Sequence, residues 1–325
     1  MTTRRDFLKT GAAGVAVAAA GRTMAAHGQA LTPTKIGAVV LGDFGVVTPT
    51  QVAIEKGYFK QNGLDAELIP FKGGPDLLKG VLSGSADIGI TGATDPLVFR
   101  ERGTPIRTLA TIVEKNHFTL TVVPKVKRLE DLKGGTIGCT VVGSTTWVFA
   151  RMLAKKEGWD PDKDVQVVGL GGLDAQLAAM ARKEIAAYVW GDGGAVSELQ
   201  GKSKVLMRLD SVTPKWISQI QYASEDAIAK QADAIRKSQR ALFRALKLMR
   251  DNPKEAAGLV SKKLGWSPEA VLDAHKISGP LLPVDGSINV EALAVMQDTL
   301  LEYGLIKKKL PLDAYYTREF TPVKV

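Results

Sequence analysis

The stretch that decides the fold reads Thr136-Ile137-Gly138-Cys139-Thr140-Val141-Val142-Gly143-Ser144-Thr145-Thr146-Trp147. Its first five residues predict a short strand, and apolar residues with helical spacing follow Trp147. The small, hydroxylated loop at residues 143–146 therefore lies where a strand passes into a helix. Because the first N–H groups of a helix lack partners and the helix dipole is positive there, this loop predicts a cradle for an anionic group. A plain helix cap is the structural alternative.

A second stretch earlier in the chain has the same pattern. The apolar run at residues 86–90 leads into Thr91-Gly92-Ala93-Thr94, and Asp95-Pro96 follows. Here too a helix cap is the alternative interpretation, since Asp95 could itself cap the next helix. We expect the two cradles to face one another across a cleft.

Strand and helix patterns alternate with short loops along residues 35–113 and again along residues 136–209. This alternation favours parallel sheets with helices on both faces, so the predicted fold class is α/β. The extended runs at residues 118–123 and 216–222 continue differently, and we interpret them as crossings between two units. Apolar residues at helical spacing then predict a long helix over residues 224–251.

The two crossings predict two lobes. The first lobe comprises residues 31–118 together with 219–325, and the second comprises residues 119–218. Because no further sheet follows in the sequence, the C-terminal helices should pack on the first lobe. Within that lobe, residues 42–45 predict a loop, and Pro49 predicts a helix start because proline suits the first helical turn.

Residues 1–30 predict an export signal. Thr3-Arg4-Arg5-Asp6-Phe7-Leu8-Lys9 fits the twin-arginine consensus, and a modestly apolar stretch follows at residues 11–21. That stretch is too short for a membrane anchor. Gly28-Gln29-Ala30 places small residues at a cleavage site. The pattern therefore predicts export by the twin-arginine machinery to the periplasm, with cleavage near Ala30.

Charge and composition exclude several functions. The net charge is +9, and four basic residues against one acidic residue in the first 30 leave +6 for the remainder. The basic residues form no stripe interleaved with aromatics, so nucleic acid is not an expected partner. A mild positive field would suit an anionic solute. The single cysteine, Cys139, excludes an internal disulfide, and with three scattered histidines it makes no metal cluster, so we expect no cofactor.

An ordered set of short motifs carries a family resemblance. The set comprises Gly57-Tyr58-Phe59, Gly63-Leu64, Phe71-Lys72-Gly73-Gly74-Pro75-Asp76, Gly84-Ser85-Ala86-Asp87-Ile88-Gly89, residues 129–134, Gly143-Ser144-Thr145-Thr146 and Trp190-Gly191-Asp192. Over residues 34–310 the chain resembles periplasmic solute-binding proteins of the nitrate/sulfonate/taurine type, which serve ABC importers and are related to thiamine-precursor proteins. The resemblance implies the two-lobed type II periplasmic-binding-protein fold. Each lobe would be a mostly parallel sheet flanked by helices, and two hinge crossings would let the lobes close on a ligand.

The resemblance also implies where the ligand is bound. In the family the ligand meets loops after the first and third strands of one lobe, and two strand-end loops of the other. With His117 added because it precedes a crossing, the expected ligand-binding residues are Asp43, Phe44, Thr91, Gly92, Ala93, Thr94, His117, Ser144, Thr145, Thr146, Trp190 and Asp192. Phe44, Trp147 and Trp190 could stack on a ring. Many relatives have an acidic residue and then proline where this chain has Gly191-Asp192, which leaves the ligand class open.

The sequence thus predicts a monomeric periplasmic receptor of an ABC importer that captures a small organic anion, either a sulfonate or a carboxylate. Its expected partners are that ligand, the importer permease and the export machinery, and we expect no catalysis. The second ligand class is a neutral heteroaromatic, such as a pyrimidine precursor of thiamine. The rival function is a secreted enzyme on the same scaffold, using Asp43, Asp192 or Cys139. Cys139 lies in an apolar strand without a nearby histidine, which predicts an inert thiol. A receptor that reports to a sensor is a third alternative.

Overall fold

A computed structural model of the protein describes residues 30–39 and 44–325. Almost all of the predicted export signal, and the predicted ligand residue Asp43, lie outside these described residues. The strands within them are β1 Thr32–Val39, β2 Leu64–Phe71, β3 Ile88–Gly92, β4 Ile106–Val113, β5 Thr119–Val122, β6 Thr136–Cys139, β7 Gln166–Gly169, β8 Ala187–Trp190, β9 Lys204–Arg208 and β10 Gln219–Ser224. The helices are α1 Phe44–Glu55, α2 Tyr58–Gln61, α3 Gly74–Ser83, α4 Thr94–Glu101, α5 Thr145–Lys156, α6 Leu173–Ala181, α7 Asp192–Leu199, α8 Glu225–Asp251, α9 Pro253–Leu264, α10 Pro268–Ser278 and α11 Val290–Glu302.

The strands form two five-stranded sheets with the same topology. The first sheet has the order β2-β1-β3-β10-β4, and the second has the order β7-β6-β8-β5-β9. In the first sheet only β10 is antiparallel to its neighbours, and in the second only β5 is. Each of these two strands is the first that the chain forms after it leaves the other sheet. The predicted α/β class, with two mostly parallel sheets and two crossings, is therefore confirmed.

The central strands are covered on both faces. All residues of β3 and β8 are buried, as expected for strands of parallel sheets with helices on both sides. In the first sheet, Ile36, Ile90 and Ile112 are fully buried. Each such side chain contributes about 1.5–3 kcal/mol to folding through burial. These strands therefore form rigid supports for the loops at their carboxyl ends.

The long helix α8 contacts the first sheet, as do α1 and α3. Its N-terminus is capped by the Ser224 side chain, which accepts a hydrogen bond of 3.1 Å from the Ala227 N–H. Its buried face carries Ile235, Leu242 and Leu246 at helical spacing. Leu242 and Leu246 pack with α1, α9 and the first sheet, and Ile235 packs with strand residues of that sheet. Helices α8 and α9 thus pack on the first unit as expected, whereas α10 contacts both α9 and α7 of the second.

The predicted start of the first helix is wrong. Helix α1 begins at Phe44 and not at Pro49, so Phe44 and Gly45 are helical and Pro49 lies inside the helix. An internal proline loses one backbone hydrogen bond. Burial of Phe44, Val46 and Val47 at 1% exposure or less offsets that cost. Helices α4 and α7 begin at Thr94 and Asp192, two residues before the starts at Pro96 and Gly194 that the sequence pattern predicts.

Membrane insertion finds no support in the fold. Across residues 30–39 and 44–325, no helix combines the length and the hydropathy that crossing a bilayer requires.

Candidate functional site

A cavity of about 30 Å³ lies where the carboxyl ends of the strands of the two sheets meet. In α/β folds the loops at this edge are the usual place for a ligand. The first sheet and its helices contribute Val39, Val46, Gly74, Thr91, Gly92, Asp95 and Gln219. The second sheet and the crossing before it contribute Phe118, Thr140, Ser144, Thr145, Thr146, Trp190 and Gly191. We refer to this space as the central cavity.

Thr145, the first residue of α5, joins the two sides of the central cavity. Its Oγ1 donates a 2.7 Å hydrogen bond to Asp95 Oδ1, and it accepts a hydrogen bond from Thr94 Oγ1. The other carboxylate oxygen, Asp95 Oδ2, accepts a 2.6 Å bond from Thr91 Oγ1. All four side chains are buried. The two predicted cradles therefore meet through hydroxyl groups that converge on one carboxylate.

The other residues of the cradle at residues 143–146 form hydrogen bonds among themselves and with Thr140. Ser144 is the N-cap of α5, and its Oγ accepts from the Trp147 N–H. Thr140 Oγ1 donates to Ser144 Oγ at 2.8 Å, and the Thr140 N–H donates to Thr146 Oγ1 at 2.9 Å. The plain capping role thus applies to Ser144, whereas Thr145 reaches the opposite side.

Asp95 is the electrostatically unusual residue of the site. Burial raises its pKa from 3.8 to about 6, although hydrogen bonds from Thr145 and Thr91 oppose the rise. A shift of that size corresponds to a cost of about 3 kcal/mol for holding the ionised form at neutral pH. The negative charge of Asp95 also contributes to raising the pKa of the Tyr222 phenol, though burial is the larger cause. Buried groups with perturbed pKa values in a cleft are typical of functional sites.

Gln219, at the start of β10, presents a second polar group to the central cavity. It is 2% exposed, and its Oε1 has no hydrogen-bond partner within the described chain. Leaving a buried acceptor without a donor is costly. A donor from a ligand in the cavity would satisfy this acceptor.

The other predicted residues lie around the cavity without lining it. Ala93 is the buried N-cap of α4. The His117 ring contacts Phe118, and its Nδ1 lies 2.6 Å from Ser218 Oγ. Trp147, predicted as a stacking residue, instead lies under the Arg151 guanidinium at 4.6 Å.

Phe44 and Asp192 are brought together in a second contact between the two sides. The Phe44 N–H, at the start of α1, donates a 3.1 Å hydrogen bond to Asp192 Oδ1 at the start of α7. Asp192 Oδ2 accepts a 2.6 Å bond from Ser278 Oγ of α10. The Phe44 ring packs edge-on against His275 and points into the core. Asp192 therefore joins helices of the two sides, and Phe44 does not line the central cavity.

The sequence interpretation missed several lining residues. Asp95 was considered only as a helix cap, although a carboxylate directly after a buried strand and a Thr-Gly-Ala-Thr loop is a usable signal. Gln219 lies in the extended run at residues 216–222, where Ser218 and Gln221 are polar as well, so no local pattern singles it out. Gly74 also lines the cavity. A side chain does not fit at this position, because a Cβ there would lie 2.5 Å from the Asp95 carboxyl carbon. That close approach has no local signature.

Neither thiol chemistry nor a metal centre finds support in the described residues. Cys139 is fully buried, and burial raises the pKa of its thiol to about 12. A thiol with that pKa carries almost no thiolate near neutral pH. Residues 30–39 and 44–325 hold no group of three or more metal-ligating side chains.

Two sheets with these strand orders, meeting around a cavity at their carboxyl edges, define the periplasmic-binding-protein fold. The sequence pattern of the family described as NMT1/THI5 like matches residues 44–256, and the chain belongs to that family. The twin-arginine translocation signal matches residues 1–21, which confirms the export signal and the periplasmic destination.

One sequence relative, from Brucella abortus (strain 2308), is named as a proposed binding protein. It is 26% identical over 306 residues, which cover 90% of this chain and 92% of the relative. The predicted resemblance to binding proteins is thus confirmed at nearly full length.

Solved structures share the fold. A protein of Bordetella bronchiseptica RB50 superimposes with a TM-score of 0.81 at 23% identity, covering 89% of this chain and 96% of its own. The alkanesulfonate-binding protein SsuA of Xanthomonas axonopodis pv. citri, bound to MOPS, has a TM-score of 0.72 at 19% identity, with 88% and 98% covered. A variant of DszB in complex with biphenyl-2-sulfinic acid has a TM-score of 0.59 at 16% identity, with 89% and 98% covered. At these identities the likeness shows the fold alone.

Proposed function

We propose that the protein is the substrate-binding receptor of an ABC importer and captures one small solute between its two sheets. The observation that most supports this is the Thr145 hydroxyl, which bonds Asp95 and Thr94 across the wall of the central cavity. A buried polar contact between two separate sheets, formed at the edge of a cavity, suits a protein that closes on a ligand. Family membership and the shared fold support the same class.

Capture requires the two sides to separate and close. A cavity of about 30 Å³ holds only about two or three water molecules, at about 10–15 Å³ each. A solute of ordinary size therefore enters only when the sides are apart. In this proposal the lobes are residues 31–118 with 219–325, and residues 119–218, and they rotate about the two crossings. The ligand shifts the equilibrium only through its higher affinity for the closed form.

The ligand predicted from the resemblance is a small organic anion. The starts of α4 and α5 support an anion, because helix N-termini are positive. The hydroxyls of the cradle at residues 143–146 support it as hydrogen-bond donors. The aromatic walls formed by Phe118 and Trp190 support the alternative, a neutral heteroaromatic. The buried carboxylate of Asp95 opposes the anion.

The receptor function is tested by a thermal-shift screen of small anions, cations and heteroaromatics, followed by titration calorimetry of each hit. A receptor shows at least one hit that binds one molecule per chain and leaves it chemically unchanged. The liganded protein should then stimulate the ATPase of the ABC importer that it serves in this proposal. Binding without stimulation would indicate a receptor that signals to a sensor.

A secreted enzyme is the second candidate, and the fold shared with DszB is the observation that favours it. The buried Cys139 thiol is unsuited to act as its nucleophile. Incubation with aromatic sulfinates and analysis for released sulfite separates the two functions. Turnover would contradict the receptor function, and we expect none.

A further inference from the structure

The central cavity contains a buried carboxylate and no positive charge. The described residues that line it include no Lys, Arg or His. Within the described chain Asp95 has no ion-pair partner, and its hydrogen-bond donors are all uncharged: the side chains of Thr91, Thr94 and Thr145 and the Thr145 N–H. Its charge is therefore left without a counter-charge in a site that excludes most water.

A second group facing the cavity also lacks a donor. Gln219 is 2% exposed and lines the cavity, and its Oε1 has no partner within the described residues. This observation is independent of Asp95, because the two residues come from different elements, β10 and α4. Both residues line the same space, and both carry oxygen acceptors.

The helix starts around the cavity are already matched by negative or polar groups. Asp95 lies in the first turn of α4, and Asp192 opens α7 while accepting the first N–H of α1. Ser144 caps α5. Because a carboxylate near a helix N-terminus compensates the helix dipole, little positive potential remains for an anionic ligand.

We propose, building on the receptor function proposed above, that the ligand presents a cationic N–H group, an ammonium or amidinium, to Asp95 and Gln219. Such a group supplies both the missing charge and several N–H donors. Its apolar part would lie against Phe118 and Trp190. An acidic ligand would instead place a second negative charge beside Asp95 in a buried space, where repulsion between like charges is strong.

The test compares charge-reversed isosteres by titration calorimetry on the purified protein. The probe pairs are benzamidinium with benzoate and acetamidinium with acetate, each at pH 8 and pH 5. We expect benzamidinium to bind at least about tenfold more tightly than benzoate at pH 8. Its affinity should fall about tenfold at pH 5, because Asp95 with a pKa of about 6 is then largely protonated. Tyr222, the titratable group that interacts with Asp95, stays neutral because burial raises its pKa well above 10.

Three variants make the test specific. Asp95→Asn should abolish both the preference for amidinium and its pH dependence. Asp76→Asn, which removes a partly exposed carboxylate from the first turn of α3, should keep both. Gln219→Leu removes the second acceptor without touching Asp95, and it should weaken benzamidinium about fivefold while leaving benzoate unchanged.

The outcomes separate the ligand class from the receptor function. If benzoate bound more tightly than benzamidinium, and more tightly still at pH 5, the proposed cationic ligand class would be contradicted. The receptor function would be unaffected. Equal loss of amidinium binding in Asp76→Asn and Asp95→Asn would also contradict that ligand class. If none of these probes bound at millimolar concentration while an anion of the thermal-shift screen did, the cationic ligand would be overturned and the receptor function would stand. The absence of any hit in that screen would contradict the receptor function itself.

Discussion

Gly92 should be essential for closing the two sides, because nothing larger fits between β3 and Thr145. A Cβ added at residue 92 would lie 2.6 Å from the Thr145 Cβ and 2.7 Å from its Cγ2, whereas ordinary contacts begin at 3.4 Å. Rotating the Thr145 side chain cannot relieve a clash with its Cβ. In Gly92→Ala the start of α5 and β3 must therefore separate, and restoring an ordinary contact takes about 0.8 Å, the difference between 3.4 Å and 2.6 Å.

This displacement of α5 destabilises the closed form relative to the open form. A displacement of 0.8 Å stretches the 2.7 Å bond between Thr145 and Asp95 toward 3.5 Å, the limit of a hydrogen bond. Overpacking a buried contact costs about 1–3 kcal/mol. We therefore expect the closed form, and with it ligand affinity, to fall about 5- to 150-fold. The folded lobes themselves should be unaffected.

The assay measures the separation of the two sides directly. Spin labels on Lys79→Cys in α3 and Ala178→Cys in α6, both at exposed positions, report the distance between the two sheets. The native Cys139 is buried and stays unlabelled. Gly92→Ala should shift the distance distribution to longer values. Gly172→Ala is the matched control, since its added Cβ meets no atom within 4 Å. An unchanged distribution with unchanged ligand affinity in Gly92→Ala would refute the reasoning.

Three further predictions concern individual side chains. Because burial raises the Asp95 pKa to about 6, the folded state holds that proton more tightly than the unfolded state. Its contribution to the free energy of unfolding should fall by about 2 kcal/mol between pH 4.5 and 7.5. In urea unfolding, Asp95→Asn should lack this pH-dependent decrease and should be more stable than the wild-type protein at pH 7.5. Thr145→Val removes the donor to Asp95 Oδ1 and should weaken ligand binding about tenfold or more in calorimetry, whereas Thr34→Val, whose hydroxyl bonds only the nearby Thr32 carbonyl, should not. Cys139 should resist iodoacetamide at pH 8 in the folded protein and react once urea unfolds it; rapid alkylation of the native chain would contradict its burial.

Local patterns in the sequence were sufficient for the elements and the class of fold. The stretch from Thr136 to Trp147 predicted a strand and then a helix, and β6 and α5 occupy those places. Such elements can be predicted because burial of one face places apolar residues at regular intervals along the sequence. The early start of α1 escaped prediction, because Pro49 indicated a local boundary that burial of the preceding residues overrode.

The sequence by itself determined the export signal, the two α/β units and the two hydroxyl-rich loops at strand ends. Only the tertiary structure decided what those loops do. Thr145 pairs with a carboxylate 50 residues earlier in the chain, and Asp192 with a backbone N–H 148 residues earlier. Such partners depend on how the two sheets are placed against each other, which no local periodicity records. The loop that suggested an anion cradle therefore lies opposite a buried carboxylate, and that neighbour determines which ligand charge the site favours.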